Sequence, residues 1–509
     1  MNTENYPYKW WALIGLSLLS FTAFLDYTIV ATALPFIQKE LNATVLQLQW
    51  IMNIFGMILC MFMIAAGQAG DLFGRKKVFF FGFILFGVAA LGAGISPTIE
   101  WLIFFRAIQG FAAAVIFTIG VALLPQAFPA NEQMRAIGIF SAFNGAGLAV
   151  GPFLGGLLIS FLNWRWVFLI NIPIILAGLV CCSFSLKPSP KPDSSIKIDW
   201  LGLILLVIGL GSLVYGIVHG EAFGWKSLYT WLTICIGLIA LFLLIFIENK
   251  IEHPLLDLSL FRNVHATLAI LVCTAAGFIT FVFMFFDPLY LELMREQSAF
   301  MIGIFLLAIP LVQVIISLLF AHLVNHFGVF DLIICALGFA LLASILHAFF
   351  MPESSILVIL LAFILMGYAW GIANVGTISA ISTSINPDKM GSAIGTVFTF
   401  WNISGSILLA LSSVLFHWRE SMMIHTGLIK SNMQITAQQD QQIHVILADP
   451  SHAKTILSQY FGNQADAIFS LFQSSFMSGF HFTAWFGAAL MLIIFLFGLK
   501  LRAQSEKRK

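Results

Sequence analysis

Apolar runs of about twenty residues alternate with short polar breaks along the whole chain. A helix rises 1.5 Å per residue, so about twenty apolar residues cross the ~30 Å hydrocarbon core of a bilayer. The pattern predicts fourteen such helices, at about 10–36, 47–68, 78–95, 100–125, 135–160, 164–186, 200–219, 228–248, 265–291, 298–322, 331–350, 354–381, 391–416 and 477–501. No small-residue cleavage site follows the first run, from Trp10, and further spans continue behind it. It is expected to be retained and not removed as a signal peptide.

Two breaks in the rhythm divide the chain. The stretch KPSPKPDSSIKID, 187–199, is rich in proline, serine and lysine and reads as a linker. It closes a first block of six helices, 1–198. Two plain helices and the stretch ENKIEHPLLDLSLFRN follow, over 199–263, and six more helices occupy 264–509. The second break is the segment 417–476, expected as a long, polar, external loop. Its apolar spacing is partly helix-like.

Composition agrees with the pattern. The 509 residues are 60% hydrophobic and 9% charged, and the mean hydropathy is +0.99. A soluble domain carries roughly a quarter charged residues, so most of this surface must face lipid. The six cysteines, at 60, 181, 182, 235, 273 and 335, all lie in apolar runs and offer neither a disulfide framework nor ligand spacing. Lys and Arg concentrate in loops that share a side with both termini, such as Arg75–Lys77, Arg135 and Lys187. The positive-inside rule then places both termini in the cytoplasm.

GQAGDLFGRKKV, 67–78, is a charged island between two apolar runs. Gly67, Gly70 and Gly74 permit a tight turn and close helix approach. Asp71 and Arg75, four apart, can face each other or reach neighbouring helix ends. Those residues alone also fit a basic loop that merely fixes orientation. The stretch closely resembles the G-x-x-x-D-x-x-G-R-[RK] signature between helices 2 and 3 of the major facilitator superfamily. LDYTIVATALP (25–35), RAIQGFAAA (106–114), GLAVGPFLGG (147–156) and NWRWVFLINIP (163–173) resemble signatures of its fourteen-helix drug/proton antiporters. Ala31 stands where asparagine is frequent in that family. AHLVNHFGVF, 321–330, occupies the place of a second signature loop and lacks its Asp–Arg pair.

The resemblance implies an all-α polytopic membrane protein of fourteen transmembrane helices, with two six-helix bundles and two extra helices inserted between them. It implies a conformational latch at Gly67, Gly70, Asp71, Gly74 and Arg75. It also implies a bent, tightly packed antiporter helix around Gly147, Gly151, Pro152, Gly155 and Gly156, sealing the carrier against leak. A role in proton coupling falls to Arg106, beside Gln109 and Gly110.

Charges inside a span are expensive and usually functional. Asp26 reads either as a carboxylate neutralised by a neighbouring helix or as a protonatable site. Arg106 reads either as a proton-coupling cation or as a side chain snorkelling to the outer interface. Asp287, before Pro288, reads as a kink-associated residue at the water boundary or as a second proton or substrate carboxylate facing Asp26. Gln109 is a candidate substrate contact. Aromatic side chains, with 52 phenylalanines available, suit flat apolar compounds and lipophilic cations.

No nucleophile elbow, phosphate loop or metal-ligand cluster is present, and neither enzyme activity, a cofactor nor a metal is expected. His322 and His326 share a spacing of four but have no third ligand. The expected energy source is an ion gradient, worth about 2.3 kcal/mol per charge per 100 mV, or the substrate's own gradient. The favoured reading is a proton-coupled antiporter that exports hydrophobic or cationic small molecules by alternating access. The alternatives are a dedicated exporter of one metabolite such as a siderophore, an uncoupled uniporter or importer, and a non-transporting membrane subunit. The expected partners are the small-molecule substrate, protons and the lipid bilayer, with no nucleic acid. The protein is expected to act as a monomer in a bacterial cytoplasmic membrane, with a periplasmic adaptor as a candidate partner.

Overall fold

In lipid the backbone has no water to bond, so every amide must be satisfied within its own segment. All regular structure among the described residues is accordingly helical. The computed structural model describes residues 7–43, 45–187, 199–223, 227–248, 250–251, 263–297, 299–384, 390–430 and 465–506. Among these, thirteen helices are long and apolar enough to span a membrane, and a bent pair makes up to fourteen.

They are α1 (Lys9–Ala33), α2 (Trp50–Phe73), α3 (Arg75–Gly94), α4 (Ile99–Ala127), the bent α5 (Ala130–Phe161) and α6 (Trp166–Ser185). An inserted hairpin follows, α7 (Trp200–Ile217) and α8 (Leu228–Glu248). The second set is α9 (Val264–Leu293), α10 (Met301–Phe327), α11 (Val329–Ala348), α12 (Ile356–Ser382), α13 (Ala393–Ile424) and α14 (Asp466–Gln504).

Within the first six, α1 packs on α5 and α6, and α4 on α2 and α3. Within the last six, α12 packs on α10 and α11, α14 on α11 and α13, and α9 on α12 and α13. The two sets meet through α5 against α10 and α2 against α13. The hairpin lies outside, with α7 against α2. Its α8 turns Leu238, Ile239 and Phe242 outward, the last 68% exposed, as a lipid-facing helix requires.

Three expectations change. The island 67–78 is not a loop. Helix runs through Phe73 and resumes at Arg75, and Gly74 alone breaks it, at φ 92 and ψ 119. That left-handed backbone suits glycine, which has no Cβ to clash. Gly328 repeats the device at φ 77 between α10 and α11. Next, the expected external loop 417–476 is helical at both ends. One helix continues to Lys430 and the next begins at Ala465, so only its centre, 431–464, lies outside the described residues. Polar residues there extend helices beyond the bilayer, where hydropathy no longer marks them. The linker's residues 188–198 also lie outside the described residues. Finally, α1 ends in a 3-10 turn, Val30–Ala33, before a short helix, Leu34–Leu41.

Candidate functional site

Asp26 is fully buried on α1, and Arg106 on α4 is 1% exposed. The Arg106 guanidinium reaches Asp26 directly, Nη1 to Oδ2. Two amides also donate to Asp26 Oδ1: Gln109 Nε2 at 3.3 Å and Asn171 Nδ2, on α6, at 2.9 Å. Arg106 Nη1 donates to Gln109 Oε1 at 3.1 Å, and its Nε to the Ile51 carbonyl of α2 at 3.1 Å. Its face lies 4.4 Å from the Phe55 ring centroid. Three helices therefore meet at one carboxylate, and a fourth, α2, holds its cation. Arg106 and Gln109 share a face because three residues make almost one helical turn. Gly110 lets α4 come this close, since a Cβ there would lie 2.5 Å from the Phe55 carbonyl oxygen.

A carboxylate and a guanidinium buried together survive in low dielectric only when both are paired and hydrogen-bonded. This network meets that condition, and Arg106 points to Asp26 and not to an interface. Chemically it is a cation and two amide donors around a carboxyl that can exist charged or neutral.

The helix-5 glycines divide. A Cβ at Gly147 would lie 2.7 Å from the Phe21 carbonyl oxygen, one at Gly151 would lie 1.9 Å from Thr28 Oγ1, and one at Gly155 would lie 2.2 Å from Thr32 Oγ1. These three, four apart, form the seam on which α1 packs. Thr28 Oγ1 crosses it to donate to the Leu148 carbonyl at 3.2 Å. Gly156 is not in that seam, because nothing lies within 4 Å of a Cβ there. One position further along a helix rotates a residue by about 100°. The helix bends by 45° between Gly151 and Phe153, at Pro152, whose nitrogen cannot donate to the ladder.

At the turn, Arg75 Nε donates to Asp71 Oδ1 at 3.0 Å, and Nη1 reaches the Ala122 carbonyl at 3.4 Å. Gly67 and Gly70 are buried in the same helix end. The two bundles also touch. Gly395 of α13 sits where a Cβ would lie 2.9 Å from the Met63 carbonyl oxygen. Gln313 of α10 donates to the Ser141 carbonyl of α5 at 3.1 Å. The second bundle has no Asp–Arg pair inside its own turn. Asp331, just beyond Gly328, instead bonds Arg502 of α14 at 3.0 Å.

Asp287 does not sit at a water boundary. It is fully buried on α9 and partners His347 of α11. Asp26 and Asp287 are therefore each bound within their own bundle. Sequence reading missed Asn171 and His347. Asn171 was visible as an amide in NWRWVFLINIP, and the start of that motif is a lock of its own. Trp164 Nε1 donates to Glu40 Oε2 at 2.7 Å, and Arg165 pairs with the same carboxylate.

Two helical bundles that meet along α5–α10 and α2–α13, with ionisable groups buried between helices, are the build of a polytopic membrane transporter. The family model of the Major Facilitator Superfamily matches residues 16–409, and the chain belongs to that family. It is 27% identical over 496 residues to the multidrug resistance protein Stp of Mycobacterium tuberculosis, covering 96% of this chain and 90% of that protein. It is 30% identical over 413 residues to the tetracenomycin C resistance and export protein of Streptomyces glaucescens, covering 80% and 76%. Among solved structures it resembles a bacterial homologue of the human lysosomal transporter Spinster. The TM-score is 0.57 at 16% identity, over 98% of this chain and 99% of that one.

Proposed function

We propose that the protein is a proton-coupled antiporter that exports hydrophobic or cationic small molecules by alternating access. Substrate binds between the bundles near the midplane, where Tyr27 and Phe281 bring aromatic rings from the two sides to 6.4 Å. Asp26 carries the exchanged proton. When Asp26 is protonated the ion pair is lost, and the guanidinium keeps only its bonds to Gln109 and the Ile51 carbonyl. The 67–75 turn latches one conformation, and the α1–α5 glycine seam keeps the first bundle rigid while it rocks. Domain limits follow the six–two–six division, both termini face the cytoplasm, and one chain suffices for transport.

The observation that carries this reading is the Asp26–Arg106–Gln109–Asn171 network, a titratable carboxylate fully enclosed by one bundle. The drug-export names of the similar proteins support the substrate class. The name of the tetracenomycin C export relative also favours a dedicated exporter of one metabolite as a second reading. A susceptibility screen of expressing cells across dyes, biocides and antibiotics separates the two by breadth.

The test of coupling is efflux from proteoliposomes. Asp26→Asn mimics the permanently protonated carboxyl. Uphill efflux driven by a pH gradient is expected to stop, while counterflow without a gradient continues. Unchanged gradient-driven efflux would remove Asp26 from the coupling path.

A further inference from the structure

Asp287 and His347 are both 0% exposed. His347 Nε2 lies 3.2 Å from Asp287 Oδ1 and 3.3 Å from Oδ2. On the other side of the ring, Nδ1 lies 2.7 Å from the Ala343 carbonyl oxygen. A carbonyl only accepts, so Nδ1 carries a hydrogen. This assigns the tautomer, and Nε2 is the nitrogen that faces the carboxyl.

One proton is then required between Nε2 and Asp287. With it, the pair is either a neutral imidazole accepting from a carboxylic acid or an imidazolium donating to a carboxylate. Without it, a bare lone pair faces a bare carboxylate in a closed apolar site, which is a buried, uncompensated charge. No other hydrogen-bond partner for Asp287 Oδ1 is found among the described residues.

The surroundings are aromatic. Phe283 stacks on His347 with centroids 3.9 Å apart and planes at 12°. Phe350, Phe363 and Phe480 complete the enclosure at 4.6, 6.2 and 6.4 Å. The titratable groups on the packed elements are engaged elsewhere. Tyr290 donates to the Met351 carbonyl, Arg295 to the carbonyls of Pro352 and Ser354, and His481 of α14 contacts the Phe350 carbonyl. On α13, His417 pairs with Glu420, and Glu353 lies in the turn beyond α11. None of these supplies the missing proton in the structure.

Phe283 is also the last residue of a π-helical turn, Ile279–Phe283, in the middle of α9. Such turns are insertions in the helical ladder and concentrate at functional sites. Pro288 follows Asp287 and weakens the ladder again. The backbone around the carboxylate is therefore the part of α9 most able to rearrange. His347 lies one residue from the end of α11, on the face opposite the Gly328 turn.

We propose that Asp287 and His347 form a second proton-binding site, separate from Asp26, that holds one shared proton and exchanges it with water on the face opposite Gly74 and Gly328. Loaded, the proton lies between Oδ and Nε2. On unloading it passes to water, leaving a carboxylate and a neutral imidazole that keeps its Nδ1 hydrogen. Unloading requires the π-turn to shift Phe283 off the ring and admit that water. The site extends the coupling reading above but does not depend on Asp26.

The test is nitrogen NMR of the full-length, histidine-labelled protein in lipid nanodiscs, followed from about pH 5 to about pH 10, with no substrate and no gradient. The His347 signals are assigned by their loss in the Asp287→Asn/His347→Gln double variant. Wild type is expected to show one titration at Nε2, as the shared proton leaves, while Nδ1 stays protonated. In Asp287→Asn the new amide donates permanently to Nε2, so the signal becomes independent of pH. An identical titration in both proteins, or no titration in wild type, overturns the proposal. Folding supplies a second reading. His347→Leu alone strands the carboxylate and is expected to cut the yield of folded protein severalfold, and adding Asp287→Leu to restore it. A full wild-type yield of His347→Leu also overturns the proposal. Because these measurements need no transport, they stand or fall apart from the efflux test on Asp26→Asn.

Discussion

Asn171 donates its side-chain amide to Asp26 Oδ1 at 2.9 Å, although the two lie 145 positions apart. The bond ties α6 to α1 inside the membrane and completes the donor set of a buried carboxylate. Asn171→Leu keeps the branched four-atom shape of the side chain and removes the donor. Losing a hydrogen bond to a buried charged group costs about 1–3 kcal/mol. The variant is expected to melt at a lower temperature in detergent and to lose more gradient-driven efflux than counterflow. Arg106→Ala should be worse, by about 3–5 kcal/mol, because it leaves a buried charge unpaired. Asp26→Asn combined with Arg106→Gln should recover part of that loss.

The helix-5 glycines give a paired experiment. Gly151→Leu must push α5 off α1, since even a Cβ would overlap Thr28 Oγ1. Gly156→Ala meets open space. Efflux and membrane levels of the two variants are compared at equal expression. Gly151→Leu is expected to fail in transport and Gly156→Ala to match wild type. Equal behaviour would mean that the α1–α5 seam is not required.

The turn at Gly74 separates backbone from charge. Gly74→Ala forces an L side chain into φ 92, at a cost of about 1–3 kcal/mol, and should lower thermal stability. Asp71→Asn leaves the backbone untouched and removes one end of the Arg75 ion pair. It is expected to insert normally but slow efflux severalfold. A variant of normal stability and normal efflux would rule out the latch.

Glu40 supplies a pH dependence. Arg165, through its hydrogen bond, holds the Glu40 carboxyl below its ordinary value of 4.5. A carboxylate with a lowered value stabilises the fold above its unfolded value, and that contribution disappears as pH falls through the folded one. The melting temperature should therefore drop on acidification below about pH 4.5, and Glu40→Gln should flatten this limb. The effect is small, under about 1 kcal/mol, because the pair is partly solvated. A wild-type acid limb retained in Glu40→Gln would place it on other groups.

The sequence alone determined the number of apolar spans and the places where charge enters the membrane. Each is set residue by residue, through transfer into lipid and the need of every peptide group to bond within its own helix. The four-residue repeat of Gly147, Gly151 and Gly155 was legible for the same reason, as a stripe on one helix face. The tertiary structure decided which helix lies against that stripe, and it excluded Gly156, one position and about 100° further round. Only the tertiary structure showed Asn171 and Gln109 turned toward Asp26, and Asp287 enclosed with His347. The identity of a buried charge's partner depends on the rotation and neighbours of each helix. Those are fixed by packing between segments more than a hundred residues apart in the case of Asn171, and no local pattern in the chain records them.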